Sequence, residues 1–206
     1  MICIIDYGMG NIRSVHRALE RAGGETKLVS TPDQLSGADK IVLPGVAAFE
    51  DAMTQLRSQE LLDPIVEAVR SGTPYLGFCL GLQLLFDVSY ENGEHEGMGL
   101  IPGKVVRFDL TDYPSDPPLR VPHMGWNRIE WDKPCPMLEG LDSGSQVYFA
   151  HSYHVVPTDE KVIATSTDYG YSFTSAVWKD NIFATQFHPE KSQSVGLRLL
   201  ENFVKM

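Results

Sequence analysis

A chain of 206 residues with 43% hydrophobic and 21% charged residues can bury a sizeable core and is too apolar to be a disordered segment. Its net charge of −10, from 17 basic and 27 acidic residues, argues against nucleic acid and anionic membrane as partners, because both call for a basic surface. Three widely spaced cysteines, Cys3, Cys79 and Cys135, fit neither a disulfide framework nor a metal site, so no metal and a reducing, cytoplasmic setting are expected.

The first half alternates between strand and helix signals. Ile2–Asp6 is a short apolar strand ending at a Gly-rich turn. It has no basic stretch before it and is too short for a signal peptide. Asn11–Ala22 carries Ile12, Val15, Leu19 and Ala22 at helical spacing, with Gly23-Gly24 as the stop. Thr26–Val29 and Lys40–Leu43 read as strands, Ala47–Gln55 and Leu61–Arg70 as helices, and Tyr75–Phe78 as a further strand. Such alternation implies a parallel sheet covered on both faces. The second half changes character. Strand-like runs at Lys104–Phe108, Asn127–Trp131, Gln146–Ala150, Val162–Thr165, Ser172–Trp178 and Ile182–Gln186 predict an antiparallel extension of that sheet. Asp109–Pro122 is a Pro-rich loop, and Ser194–Val204 a closing helix. Residues 1–206 are expected to form a single domain. No segment is long and apolar enough to span a membrane.

Between the Tyr75–Phe78 strand and a short helix expected at Leu82–Phe86 lies Gly77-Phe78-Cys79-Leu80-Gly81. G-x-C-x-G in that setting is the thiol version of the nucleophile elbow, a sharp turn that lifts one side chain clear at the carboxyl edge of a sheet. The two glycines leave room for the turn, and the helix N-terminus favours the reactive thiolate. The other reading of Cys79 is a buried structural thiol, since free cysteine is among the most buried residue types.

A cysteine nucleophile needs a base, and the base an orienting carboxylate. Of six histidines, His16 falls on a helix and His95 in a polar loop, while His123, His151 and His154 flank or alternate along strand-like runs. His188 directly follows the last strand, and in His188-Pro189-Glu190 the carboxylate can turn back onto the imidazole. An oxyanion hole is usually built from backbone N–H groups. Pro44-Gly45-Val46 ends a strand at the same sheet edge, so its amides and that of Leu80 are candidates, against the plainer reading of a simple Pro-Gly turn.

Taken in order, the Pro-Gly segment, the elbow and His-Pro-Glu resemble the class I, triad-type glutamine amidotransferases over the whole chain. Asp6-Tyr7-Gly8-Met9-Gly10-Asn11, Pro122-His123-Met124-Gly125-Trp126-Asn127, Tyr148–Tyr153 and His188-Pro189-Glu190-Lys191-Ser192 narrow the resemblance to the glutaminase subunits of imidazole glycerol phosphate synthases. The resemblance implies a flavodoxin-like three-layer fold and glutamine hydrolysis through a cysteinyl thioester, with Cys79, His188 and Glu190 as the catalytic residues. It implies substrate contacts at Gln83, Ser152 and Tyr153, and oxyanion contacts at Gly45, Val46 and Leu80. It implies no cofactor. It also implies a (β/α)₈-barrel cyclase partner in a heterodimer. That partner would take the ammonia to make imidazole glycerol phosphate and aminoimidazole carboxamide ribotide in histidine biosynthesis, and would meet Met9, Gly10, Asn11, Pro122, Met124, Trp126 and Lys191. The competing reading of Trp126 is an ordinary core residue.

Ala47 departs from the family, which usually has glycine there. Family behaviour suggests that a peptide of this strand must turn over to complete the oxyanion hole, and alanine resists positive φ. A dinucleotide fingerprint starting at Gly8 fails, because its last glycine position is Arg13. Rival functions are a glutaminase serving another ammonia-channelling synthase, and a catalytically silent binding subunit.

Overall fold

The computed structural model describes residues 1–206. In the first half, β1 (Ile2–Ile5), α1 (Ile12–Arg21), β2 (Thr26–Val29), α2 (Pro32–Leu35), β3 (Lys40–Leu43), α3 (Phe49–Ser58), α4 (Leu62–Arg70), β4 (Tyr75–Phe78) and α5 (Leu80–Gln83) follow one another. The second half runs β5 (Phe86–Ser89), β6 (His95–Glu96), β7 (Ile101–Arg107), β8 (His123–Arg128), β9 (Gln146–His151), β10 (Tyr153–Pro157), β11 (Ile163–Tyr169), β12 (Tyr171–Lys179), β13 (Ile182–Thr185) and α6 (Gln193–Lys205). Eleven strands form one sheet in the order β2-β1-β3-β4-β13-β12-β10-β7-β5-β6, with β11 on β12. The block β2-β1-β3-β4-β13 is parallel, and β12, β10 and β7 continue it antiparallel.

The inner parallel strands β1, β3, β4 and β13 are apolar on both faces because helices cover both, while the edge strand β2 exposes Lys27 and Leu28. Cys3, Ile5, Ile41, Leu43 and Tyr75 pack with α3 and α4. Ile2, Ile4, Val42, Leu76 and Phe78 pack with Val15 and Leu19 of α1 and Leu199, Leu200 and Phe203 of α6. Each fully buried aliphatic side chain contributes about 1.5–3 kcal/mol, so these two layers hold the sheet edge rigid. Parallel strands put their carboxyl ends on one edge, and in open α/β sheets ligands bind there. The loops after β1, β3, β4 and β13 therefore converge. They carry Asp6–Asn11, Pro44–Ala47, Cys79 and His188 respectively.

Several sequence expectations shift. The helix expected at Leu82–Phe86 starts at Leu80 and is a single turn, while Phe86 opens β5, which pairs with β7. An apolar run of that length cannot be assigned to helix or strand from its pattern. The strand expected at Asn127–Trp131 runs instead from His123 to Arg128 and pairs only with β9, as a separate two-stranded sheet. The antiparallel extension is thus real, but this hairpin-like pair stands outside it. The helices expected at Ala47–Gln55 and Ser194–Val204 form at Phe49–Ser58 and Gln193–Lys205. No helix is long and apolar enough to cross a membrane.

Candidate active site

Cys79 sits between β4 and α5 with φ 51° and ψ −99°, a conformation that non-glycine residues rarely hold. The turn is held from both sides. The Cys79 N–H donates to the Thr185 carbonyl at 2.7 Å, and the Cys79 carbonyl accepts from Leu82 and Gln83 N–H groups. The cysteine itself carries the positive φ, and Gly77 and Gly81 do not. Their role is close approach: a Cβ on Gly81 would collide with the Leu43 carbonyl of β3, and one on Gly77 with the Gly81 carbonyl. α5 is one turn long and the Cys79 side chain makes no cap hydrogen bond to it; the thiol instead donates to the Ala150 carbonyl at 4.0 Å.

His188 is buried at the end of the neighbouring parallel strand β13. Its N–H donates to Tyr148 and its carbonyl accepts from the Ser192 hydroxyl, which fixes the backbone on which the ring stands. Nδ1 lies 3.0 Å from Glu190 Oε1, and Cys79 is near enough to influence the imidazole. Glu190 Oε2 is buried without a partner, so the carboxylate has His188 as its hydrogen-bonding neighbour. Burial alone would lower the His188 pKa. Interaction with Cys79 and with the Glu190 carboxylate outweighs it and raises the value to about 9. The imidazolium is therefore the neutral-pH form. Cys79 Sγ further accepts from Gln186 Nε2 at 3.6 Å.

These groups open onto a cleft of about 470 Å³ lined by Val46, Ala47, Leu80, Gln83, Ser152 and Tyr153 as well as Cys79 and His188. The expected oxyanion arrangement is not formed in this conformation. The Leu80 N–H donates to the Gly45 carbonyl at 3.4 Å, so a carbonyl occupies the place where a second donor is needed. The Tyr7 hydroxyl holds the preceding Pro44 carbonyl at 3.0 Å. A side chain at position 45 would meet that hydroxyl and Leu80, which explains why the residue is glycine. Ala47 has no positive φ here, so the departure from glycine is unstrained in this state.

Of the residues expected at a partner surface, Asn11, Pro122, Met124 and Lys191 line the mouth of the same cleft. Met124 and Trp126 are 63% and 46% exposed, which rules out the core reading of Trp126. Trp126 packs edge-on against Tyr148, and Lys191 Nζ lies over the same ring at 5.7 Å. Met9 is half-buried, and Gly10 lies close to Pro44 and Gly45. The sequence reading missed Glu91, which lines the cleft and caps α3 by accepting from the Phe49 N–H at 2.8 Å. It also missed His151 as a cleft residue. Glu91 belongs to no motif, and His151, although inside the Tyr148–Tyr153 segment, has no spacing to Cys79 that announces a role.

The glutamine amidotransferase class-I family model matches residues 3–206. The imidazole glycerol phosphate synthase subunit HisH of Syntrophotalea carbinolica is 55% identical over 206 residues, covering all of both chains. The protein of the same name from Aquifex aeolicus is 51% identical over 201 residues, covering 97% of this chain and 94% of its own. Among solved structures, one described as a glutamine amidotransferase superposes with TM-score 0.76 at 20% identity, covering 100% of this chain and 99% of its own. The structure of PurLQS from Thermotoga maritima superposes with TM-score 0.74 at 20% identity, covering 99% and 97%. At that identity the two structures bear on the fold alone.

Proposed function

We propose, because the chain belongs to the class-I glutamine amidotransferase family, that it is the glutaminase subunit of an imidazole glycerol phosphate synthase in histidine biosynthesis. The observation that carries the chemistry is the buried Cys79–His188–Glu190 array at the floor of the cleft. The narrower identity is supported by relatives of that name at 47–55% identity across the full chain. One family model spanning the chain supports treating residues 1–206 as one domain, and three free cysteines suit a cytoplasmic setting.

In this reading the Cys79 thiolate attacks the side-chain amide carbon of glutamine and the carbonyl oxygen becomes an oxyanion. His188, charged at neutral pH, gives its proton to the departing nitrogen, and ammonia leaves a γ-glutamyl thioester. Neutral His188 then takes a proton from water, which attacks the thioester and releases glutamate and the thiol. Glu190 keeps Nδ1 protonated and Nε2 facing the sulfur. The Leu80 N–H serves the oxyanion only after the Gly45–Val46 peptide turns over, which removes the Gly45 carbonyl and presents the Val46 N–H. Gln83 and the Ser152–Tyr153 backbone hold the substrate. Glu91 is the acidic side chain of the cleft that suits the substrate's α-ammonium group. The ammonia passes to a (β/α)₈-barrel cyclase docked on Met9–Asn11, Pro122, Met124, Trp126 and Lys191, and the exposed Met-Trp pair beside the cleft is what such a partner would bury.

Glutamate release is measured with the chain alone and mixed with a histidine-pathway barrel cyclase and its ribotide ligand. Strong activation in the mixture is expected. Cys79→Ala is expected to abolish glutamine use and to spare the cyclase reaction fed with ammonium salt. Survival of glutamine use in that variant would remove Cys79 as the nucleophile.

A further inference from the structure

The wall of the cleft beside Ser152 and Tyr153 rests on a buried pair of histidines. His123 Nδ1 and His151 Nε2 are 3.0 Å apart, and His151 Nδ1 lies 2.8 Å from the Tyr153 carbonyl. A carbonyl only accepts, so His151 Nδ1 carries a proton and, in a neutral ring, Nε2 accepts. His123 Nδ1 must then donate, and His123 Nε2 accepts from Asn127 Nδ2 at 3.3 Å. Asn127 is held in that orientation because Nδ2 also donates to the Asp168 carbonyl and Oδ1 accepts the Arg128 N–H, both at 2.8 Å. Every proton in the chain Asn127–His123–His151–Tyr153 is therefore assigned, and each points toward the cleft. Burial keeps both rings neutral, pushing His123 down to about 4 and His151 to about 3.

The chain ends on the substrate side. The Tyr153 carbonyl also accepts from Gln83 Nε2 at 3.0 Å, and Gln83 Nε2 donates again to Gln186 Oε1 at 3.2 Å. With both amide hydrogens used, the Gln83 oxygen is the group left to offer a ligand in the cleft. The chain begins on the outer side. Along β8, Met124, Trp126 and Arg128 face outward and are exposed, while His123 is buried and Gly125 and Asn127 lie on the inner face. His123 is clamped between Phe149 and Tyr169, with ring centroids at 4.7 and 3.9 Å, so it has no room to turn.

We propose that His123 is a positioning residue for the glutamine substrate: by donating to His151 it fixes the Ser152–Tyr153 turn and the Gln83 amide to the strand that carries Met124 and Trp126. The inference rests on the glutaminase reading above. It assigns one strand two duties, an outward docking face and an inward hydrogen-bonded anchor for the substrate wall.

The test combines kinetics in the cyclase complex with long-range proton–nitrogen NMR of the imidazoles. Wild-type His123 and His151 are both expected in the Nδ1–H form, and Nε2–H in either would overturn the proposal. His123→Phe keeps the ring stacking and removes the donor. It is expected to raise the KM for glutamine about tenfold with kcat within about threefold and Cys79 alkylation by iodoacetamide unchanged. His123→Asn places a donor where Nδ1 stood and is expected to restore the KM. An unchanged KM in the Phe variant, or no rescue by Asn, would overturn the proposal. If the Phe variant fails to melt cooperatively, Asn127→Asp serves instead. Its carboxylate accepts from His123 Nε2–H and reverses the chain, so the KM must again rise, and an unchanged KM overturns the proposal. Loss of Cys79-dependent glutamate release in the wild type would sink the glutaminase reading instead, while the NMR tautomers would still report on the relay.

Discussion

At residue scale, the chemistry depends on a few side chains whose surroundings change what they can do. Cys79 is held at positive φ on a sharp turn, and His188 is a cation at neutral pH because Cys79 and the hydrogen-bonded Glu190 carboxylate together outweigh its burial. The second effect has a direction in pH. Proton donation to the leaving nitrogen is available while His188 is charged, so kcat/KM for glutamine is expected to fall above about pH 9. Glu190→Gln removes one cause of the raised value and leaves burial to lower it. The alkaline limb should then move to lower pH, and a pH–rate profile whose limb stays in place would show that Glu190 does not set it. Cys79, His188 and Glu190 were legible in the sequence because G-x-C-x-G and His-Pro-Glu each carry their geometry locally. Glu91 and the His123–His151 pair were not: the two histidines, 28 residues apart, meet through the β8–β9 pairing, and Glu91 reaches Phe49, 42 residues away, through tertiary packing.

At the scale of elements, the elbow works only because β3, β4 and α5 touch without side chains between them. Gly81 packs against the Leu43 carbonyl. Gly81→Ala is expected to destabilise the fold by about 3 kcal/mol through overpacking against backbone, lowering Tm by roughly 6–12 °C in a chain of this size. A thermal melt within a degree of wild type would show that α5 can shift at little cost. The oxyanion strand is the second element at stake. The carbonyl that occupies the Leu80 N–H belongs to Gly45, two residues before Ala47, and Ala47 has no positive φ. Ala47→Gly is therefore expected to leave partner-free glutamate release within about fivefold of wild type, the scale of a 1 kcal/mol backbone effect. A much larger rise would make Ala47 a brake on the turning peptide. Elements with strong periodicity, such as α1 and the parallel strands, were readable from the sequence. β5 and β8 were not: Phe86 continues an apolar run that suits a helix, and β8 alternates His, Gly and Asn inward, which has no apolar signature.

At the scale of the whole molecule, one sheet edge gathers four loops into the site, and the two-stranded β8–β9 sheet stands beside it with its outer face bare. Trp126→Ala is expected to leave the thermal stability of the free chain within about 0.5 kcal/mol, because the ring is half exposed. The same change should weaken cyclase binding by about 2 kcal/mol or more, roughly thirtyfold, if Trp126 anchors the interface. Titration of the variant against the cyclase checks this, and unchanged affinity would place the docking surface elsewhere. By itself the sequence determined the fold class, the strand–helix alternation, the turns that carry Cys79 and His188-Pro189-Glu190, and the family. All of these follow from local patterns, because a periodicity or a five-residue turn encodes its own conformation. The tertiary structure alone decided that the Gly45 carbonyl blocks the Leu80 amide, that Trp126 is at the surface, and that two histidines join the outer strand to the Tyr153 carbonyl at the cleft wall. Those facts depend on which segments lie side by side, and strand pairing is set by the packing of the whole sheet rather than by any one segment.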